Sequence, residues 1–93
     1  MSRGIRIEYT VQIWQEGNQF IAHAMPIDIM SSGPTPEEAR KALDEAVRVF
    51  LLTLKDMGTT EEILQECGYE MIQGIWKGPP WVSIERHSAV VGI

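Results

Sequence analysis

The chain of 93 residues carries 8 lysines and arginines against 13 aspartates and glutamates, so its formal net charge is −5 at pH 7. This acidic balance argues against a protein that binds DNA or RNA directly through a basic surface. The single cysteine excludes an intramolecular disulfide, and no apolar run approaches the ~20 residues that a membrane-spanning helix needs. We therefore expect one domain in the reducing cytoplasm, with no membrane partner.

The first third of the sequence predicts three strands. Residues 5–14 alternate apolar and polar side chains, which is the period-two pattern of a half-buried strand, and residues 15–18 have turn composition. Residues 20–25 are the predicted return strand, and Pro26 ends it because proline has no N–H to donate to a ladder. Residues 27–30 are a short predicted third strand, and residues 31–34 form the next break.

The long helix that follows has clear signals at both ends. Thr35 is the predicted N-cap, Pro36 occupies the first helical position, and Glu38 completes a capping box. Apolar residues then recur at helical spacing as far as Leu54. Gly58 is the predicted left-handed cap that ends this helix.

A short helix and a last strand complete the predicted order. Thr59 and Glu62 have the spacing of a second capping box, which opens a short helix that ends at Gly68. Residues 74–80 have the composition of an ordered loop, and the alternation over residues 81–86 predicts a fourth strand.

The predicted fold class is α+β, with the order β-β-β-α-(short α)-β. A small, mostly antiparallel sheet packs on one long helix. We expect a single domain over residues 1–93, with its core over about residues 5–68 and a C-terminal loop and strand over residues 69–93.

The residues that could carry chemistry are not arranged for catalysis. Most carboxylates fall at helix starts or on solvated helix positions, and Glu8, Asp28 and Glu85 lie on predicted strands without a spacing that brings them together. His23 and His87 lack partners at metal-ligand spacing. We expect a non-catalytic protein without metal or cofactor. A minor alternative is an enzyme whose site is assembled across a dimer from Glu8, His23 and Asp28.

The tryptophans allow two interpretations. Trp76 and Trp81 flank a Gly-Pro-Pro loop, and exposed tryptophans are typical interface anchors. Alternatively, the loop folds one of them back over the core. In the first interpretation, a late strand containing Trp81, Val82 and Ile84 associates with a second copy, together with Trp76, because a small sheet with one covering helix leaves edges open.

The region from Tyr9 to Gly68 resembles a known family. A hairpin is followed by Ser-Ser-Gly-Pro-Thr-Pro-Glu-Glu-Ala over residues 31–39, which opens the long helix. This run resembles the Ser-x-Gly-x-Thr-x-x-Glu-Ala segment in the N-terminal domain of HicB antitoxins. The resemblance implies a partial ribonuclease H-like fold without nuclease carboxylates. It also implies a partner, a small basic HicA-type RNA-cleaving toxin, which an acidic chain could mask.

The sequence also departs from that family. The usual Pro-Gly-Cys near the third strand is absent, and no helix-turn-helix or ribbon-helix-helix pattern follows Gly68, so DNA binding is not carried over. The resemblance to short HicB-like proteins implies a homo-oligomer, either a dimer or a tetramer. An orphan dimerising interaction domain without a toxin is the alternative. The residues expected to contact the toxin are Asp28, Met30, Ser31, Glu37 and Glu38.

Overall fold

The computed structural model describes residues 4–92, and its fold is α+β. A three-stranded antiparallel sheet packs against one long helix, and a short helix and a two-stranded antiparallel sheet follow. The elements are β1 (Thr10–Glu16), β2 (Gln19–Met25), β3 (Ile29–Gly33), α1 (Pro36–Met57), α2 (Thr60–Glu66), β4 (Glu70–Ile72) and β5 (Ile75–Lys77).

The three-stranded sheet has the order β1-β2-β3, and its register divides the side chains between two faces. Ala22 of β2 pairs with Ile13 on one side and with Ser31 on the other. Because successive side chains of a strand alternate, this row points to one face, where Ala22 and Ala24 are fully buried under α1. The alternating apolar residues predicted for the first strand, including Val11 and Ile13, pack against this core.

The strand boundaries differ from the prediction. Regular pairing of β1 covers residues 10–16 instead of 5–14 and β2 begins at Gln19, so the first turn is shorter than predicted, and β3 covers residues 29–33 instead of 27–30. The reason for the shift of β3 is a tight turn. Asp28 has φ 60° and its N–H donates to the Ala24 carbonyl at 2.8 Å, so residues 26–28 turn the chain and pairing starts afterwards. Ser31 to Gly33, predicted as a break, belong to β3.

Thr35, Pro36 and Gly58 occupy their predicted positions at the ends of helix α1, but the described residues show only one half of the predicted capping box, without a bond from the Thr35 N–H to the Glu38 carboxylate. The Glu38 N–H donates to the Thr35 hydroxyl at 3.1 Å, and Pro36 is the first helical residue. Gly58 ends the helix in the left-handed conformation at φ 68°, and its N–H donates to the Lys55 carbonyl. The buried face of the helix consists of Ala39, Leu43, Val47 and Leu54.

The predicted capping box of α2 is wrong. Thr59 makes no side-chain cap bond, and its backbone has φ −114° and ψ 13°, outside the extended region that an N-cap residue adopts. The physical reason is that the Thr59 N–H donates to the Leu54 carbonyl, so Thr59 belongs to the end of α1. Among the residues described, the Thr59 hydroxyl oxygen is the one buried side-chain polar atom without a hydrogen-bond partner.

The core continues beyond residue 68, which corrects the predicted boundary. Tyr69 and Trp76 are both buried, and the Tyr69 hydroxyl donates to the Glu8 carbonyl at 2.9 Å. The region predicted as a loop over residues 74–80 contains β5. This strand pairs with β4 and also, through a parallel bridge between Ile7 and Trp76, with the segment before β1.

The predicted fourth strand over residues 81–86 is wrong. Residues 78–92, which we call the C-terminal arm, contain neither helix nor strand. No other segment of the same chain lies beside the arm to complete a ladder within residues 4–92. The arm lengthens the molecule to 60 × 30 × 20 Å. The radius of gyration is 16.0 Å, against about 12 Å for a compact domain of this length.

Candidate interaction surface

The face of the three-stranded sheet that points away from α1 has no helix over it within residues 4–92. We call it the open sheet face. The register assigns alternate residues of each strand to it, opposite to the row that contains Ala22. Its central side chains are a mixture of apolar and polar groups: Gln12, Trp14, Ile21, His23, Met30 and Ser32.

A hydrogen-bonded pair lies at one end of the open sheet face. His23 Nε2 is 2.6 Å from Asp28 Oδ1, and the His23 ring meets the Trp14 ring edge-on with 6.3 Å between centroids. The His23 side chain is only 14% exposed, whereas that of Asp28 is 83% exposed. The β2–β3 turn therefore presents an accessible carboxylate whose position is fixed by a half-buried histidine.

The structure brings together only some of the residues expected to contact a partner. Asp28 and the exposed Met30 lie on or beside the open sheet face. Ser31 points to the helix side, because it pairs with Ala22. Glu37 and Glu38 are exposed in the first turn of α1, beyond the other end of β3. About 15 Å of strand separates them from Asp28, so the five residues do not form one compact patch.

The residues expected to mediate self-association also separate. Trp76 is 4% exposed and belongs to the core, so it cannot be a surface anchor in this chain. This placement agrees with the alternative interpretation, in which one tryptophan covers the core. Trp81, Val82 and Ile84 are all exposed on the C-terminal arm.

The chemistry of titratable groups is limited in the part of the chain that the structure describes. No group of three or more His, Cys, Asp or Glu residues could hold a metal ion there. Glu8 contributes backbone hydrogen bonds to Trp76 and Tyr69, and its carboxylate makes no described bond with the His23–Asp28 pair.

Two tyrosines and the cysteine are held in their neutral forms. Burial, followed by the hydrogen bond to Asp44 and the charge of that carboxylate, raises the pKa of Tyr9 to about 12, and the Tyr9 hydroxyl lies 2.6 Å from Asp44 Oδ1. Burial also raises the pKa of Tyr69. The pKa of the Cys67 thiol is raised by burial first and then by nearby carboxylates, which disfavours a reactive thiolate.

Two features of this region are not predicted by the sequence patterns. One is the His23–Asp28 pair, which depends on a left-handed Asp28. A turn after Pro26 was the available signal, because Asp tolerates this conformation. The other is a groove of about 890 Å³, formed where Ile7 to Thr10 pass β4 and the start of the arm. No local pattern predicts this groove, since it joins segments that are distant in sequence.

No protein-family model, curated protein or solved structure matches this chain. Among residues 4–92, no helix has the length and apolar character required to cross a membrane.

Proposed function

We propose that this chain is a HicB-like antitoxin of a type II toxin–antitoxin system. It neutralises a small, basic HicA-type RNA-cleaving toxin by binding it, and it has no catalytic step or cofactor of its own. The proposal includes a cytoplasmic location and assembly as a homo-oligomer. The mechanism is steric and electrostatic masking, in which the acidic chain occupies the surface with which the toxin would engage RNA.

The β3–α1 junction is the observation that carries this proposal, because three residues of the family-like segment, Gly33, Thr35 and Ala39, have a structural task there. A Cβ atom on Gly33 would lie 2.7 Å from the Ala39 backbone nitrogen, so only glycine fits between strand and helix. Thr35 caps the helix, and Ala39 is fully buried. The segment thus joins a three-stranded antiparallel sheet to one long helix, the arrangement that the resemblance implies up to this point of the chain.

The open sheet face is the surface that we assign to the toxin. Trp14 and Met30 belong to residue types that are enriched in the cores of protein interfaces, and Ile21 lies between them in the sheet. Asp28 adds an exposed negative charge at the edge of this surface. Apolar side chains bordered by an acidic group suit a basic partner, since opposite charges accelerate association and select the orientation.

The proposal is tested by titrating this chain into an RNA-cleavage assay of the HicA-type protein encoded beside it. We expect complete loss of cleavage at a stoichiometric ratio and co-purification of the two proteins. Unchanged cleavage at excess chain, without binding, would overturn the proposal.

A matched pair of substitutions tests the assigned surface. Met30→Arg places a cation on the open sheet face, where the side chain is 57% exposed, and Met57→Arg makes the same change at the far end of α1, where it is 67% exposed. We expect Met30→Arg to weaken toxin binding by at least about tenfold, or ~1.4 kcal/mol, and Met57→Arg to have little effect. Equal effects of the two variants would contradict the open sheet face as the binding surface.

The second candidate function is a dimerising interaction domain without a toxin. The exposed apolar residues of the C-terminal arm favour it, because they offer a contact surface that does not involve the open sheet face. A chain that self-associates but leaves the neighbouring protein's RNA cleavage unchanged would support this candidate.

A further inference from the structure

The C-terminal arm exposes apolar side chains to an unusual degree. Val82, Val90 and Val91 are 99%, 96% and 91% exposed, and Trp81 and Ile84 are about half exposed. These are β-branched and aromatic residues, which favour strands. Over residues 81–86 they alternate in the period-two pattern of a strand with two different faces. The arm therefore has the composition of a strand, but no strand within residues 4–92 pairs with it.

The first residues of the C-terminal arm, Gly78 to Pro80, form its root. Their packing and composition direct the arm away from the rest of the chain. Gly78 passes so close to Pro26 that a Cβ atom at residue 78 would lie 2.9 Å from the Pro26 ring. Pro79 and Pro80 follow, and consecutive prolines favour a stiff, extended backbone. Because the root cannot bend freely, residues 81–92 are not positioned to fold back on the sheet from which they emerge.

A docking site of suitable size lies beside this root. The groove of about 890 Å³ has an apolar part formed by Ile7, Tyr9, Met25 and Ile72, and the arm's own Pro79 and Trp81 complete one side. Polar side chains also line it, namely Glu8, Glu70 and Lys77. We call it the root groove. Strand β4, which contributes Ile72, pairs only with β5 within the described residues and so has one edge free of backbone partners.

We propose that two copies of this chain exchange their C-terminal arms, so that residues 82–91 of each copy lie in the root groove of the other. Because the groove lies beside the start of the arm, a single two-fold axis can place both arms in this way, which gives a closed, isologous dimer. Ten arm residues plus a similar number of groove residues per copy fall within the ~20–30 residues that a stable interface uses on each side. The proposal does not depend on the antitoxin function.

Length and charge are consistent with this exchange. The 15 residues of the arm span roughly 50 Å when extended, which exceeds the 30 Å and 20 Å widths of the molecule. The charges of Glu85 and Arg86 in the arm cancel, so this pair adds no net charge when the arm binds a second copy of the acidic chain. A second copy can therefore accept the arm without the repulsion that two surfaces of net negative charge would otherwise experience.

The first test measures mass by sedimentation equilibrium. We expect the full chain to sediment at twice its 10.5 kDa mass. Val82→Asp should raise the dimer dissociation constant by at least about tenfold, because the side chain moves from full exposure into the apolar part of the groove. Val49→Asp, on the exposed side of α1, is the matched control and should change it less than about twofold.

The second test identifies the contact between the arm of one copy and the root groove of the other. In a Cys67→Ala background, a chain with Ile84→Cys is mixed with a chain with Ile72→Cys and treated with a short bis-maleimide. We expect a covalent dimer from this mixture and none when Val49→Cys replaces Ile84→Cys. Three results would overturn the proposal: a monomeric full chain at the highest attainable concentration, a dimer that persists after Val82→Asp, or equal cross-linking in both mixtures.

Discussion

Substituting Gly33 by alanine is the sharpest test of the β3–α1 junction. The added Cβ atom would lie 2.7 Å from the Ala39 nitrogen and 2.9 Å from the Glu38 carbonyl carbon. Both are backbone atoms of the first turn of α1, so no side-chain rotation relieves the overlap. The helix would have to move away from the sheet that it covers.

The expected cost follows from two opposing effects. Overpacking a tightly packed site costs about 1–3 kcal/mol. Alanine restricts the unfolded chain more than glycine does, which returns about 0.4–1 kcal/mol. We therefore expect Gly33→Ala to lower the free energy of unfolding by roughly 1–2 kcal/mol. At about 4–8 °C per kcal/mol for a domain of this size, the melting temperature should fall by roughly 4–16 °C.

Urea denaturation followed by circular dichroism provides the measurement, with Gly4→Ala as the matched control. A Cβ atom on Gly4 would have no heavy atom within 4 Å, so this variant should remain within about 0.5 kcal/mol of the parent chain. The midpoint should shift for Gly33→Ala while the slope stays constant, because the surface exposed on unfolding is unchanged. If the two variants were equally stable, the close approach of strand and helix would be refuted.

Three further predictions concern the caps, the tyrosines and the core. Thr35→Ala should lower the free energy of unfolding by about 1 kcal/mol, because the cap hydrogen bond is lost. Thr59→Ala should lower it by less, because the Thr59 hydroxyl is buried without a hydrogen-bond partner, and chemical denaturation of both variants measures the difference. Tyr9 and Tyr69, the chain's two tyrosines, both have raised pKa values, so tyrosinate absorbance of the folded chain should still be low at pH 10. Folding holds the protons of these phenols more tightly, so stability should be fully present below pH 10 and fall as the pH rises toward 12, and Tyr9→Phe should reduce that slope. Trp76→Ala should cost about 3–5 kcal/mol, measured by thermal unfolding, and a loss below 1 kcal/mol would contradict its place in the core.

The parts of the fold that could be predicted from sequence are those with local causes. Both ends of α1 follow from side chains within a few positions of them, a threonine that accepts an N–H bond and a glycine that adopts a left-handed backbone. The first hairpin follows from alternation and from turn residues between its strands. In each case the interaction that forms the structure lies inside the window that the pattern covers.

The parts that failed depend on contacts outside the stretch of residues that each sequence pattern covers. Strand β5 pairs with β4 in a local hairpin, but it joins the rest of the fold because Trp76 also pairs with Ile7, at the other end of the chain. The alternation over residues 81–86 is typical of a strand, but a strand also needs a paired neighbour, and no strand within residues 4–92 pairs with this segment. Similarly, Thr59 has the residue type of an N-cap, yet the preceding helix already uses its backbone. The same limit applies to the His23–Asp28 pair, whose geometry depends on the turn between two strands.

The parallel pairing of Ile7 with Trp76 has a consequence for the order in which the molecule assembles. The Glu8 N–H donates to the Trp76 carbonyl, and the Trp76 N–H donates to the Arg6 carbonyl. Closing a loop of about seventy residues costs about 4 kcal/mol of chain entropy, whereas the hairpin and α1 form from neighbouring residues. We expect this pairing between the segment before β1 and β5 to form last during folding and to open first in the native state. Its amide hydrogens should therefore exchange with solvent while those of the three-stranded sheet stay protected. Because the C-terminal arm starts directly after β5, each such opening would also release the first residues of the arm. The stability of this pairing would therefore determine how freely the arm moves before it binds a second copy.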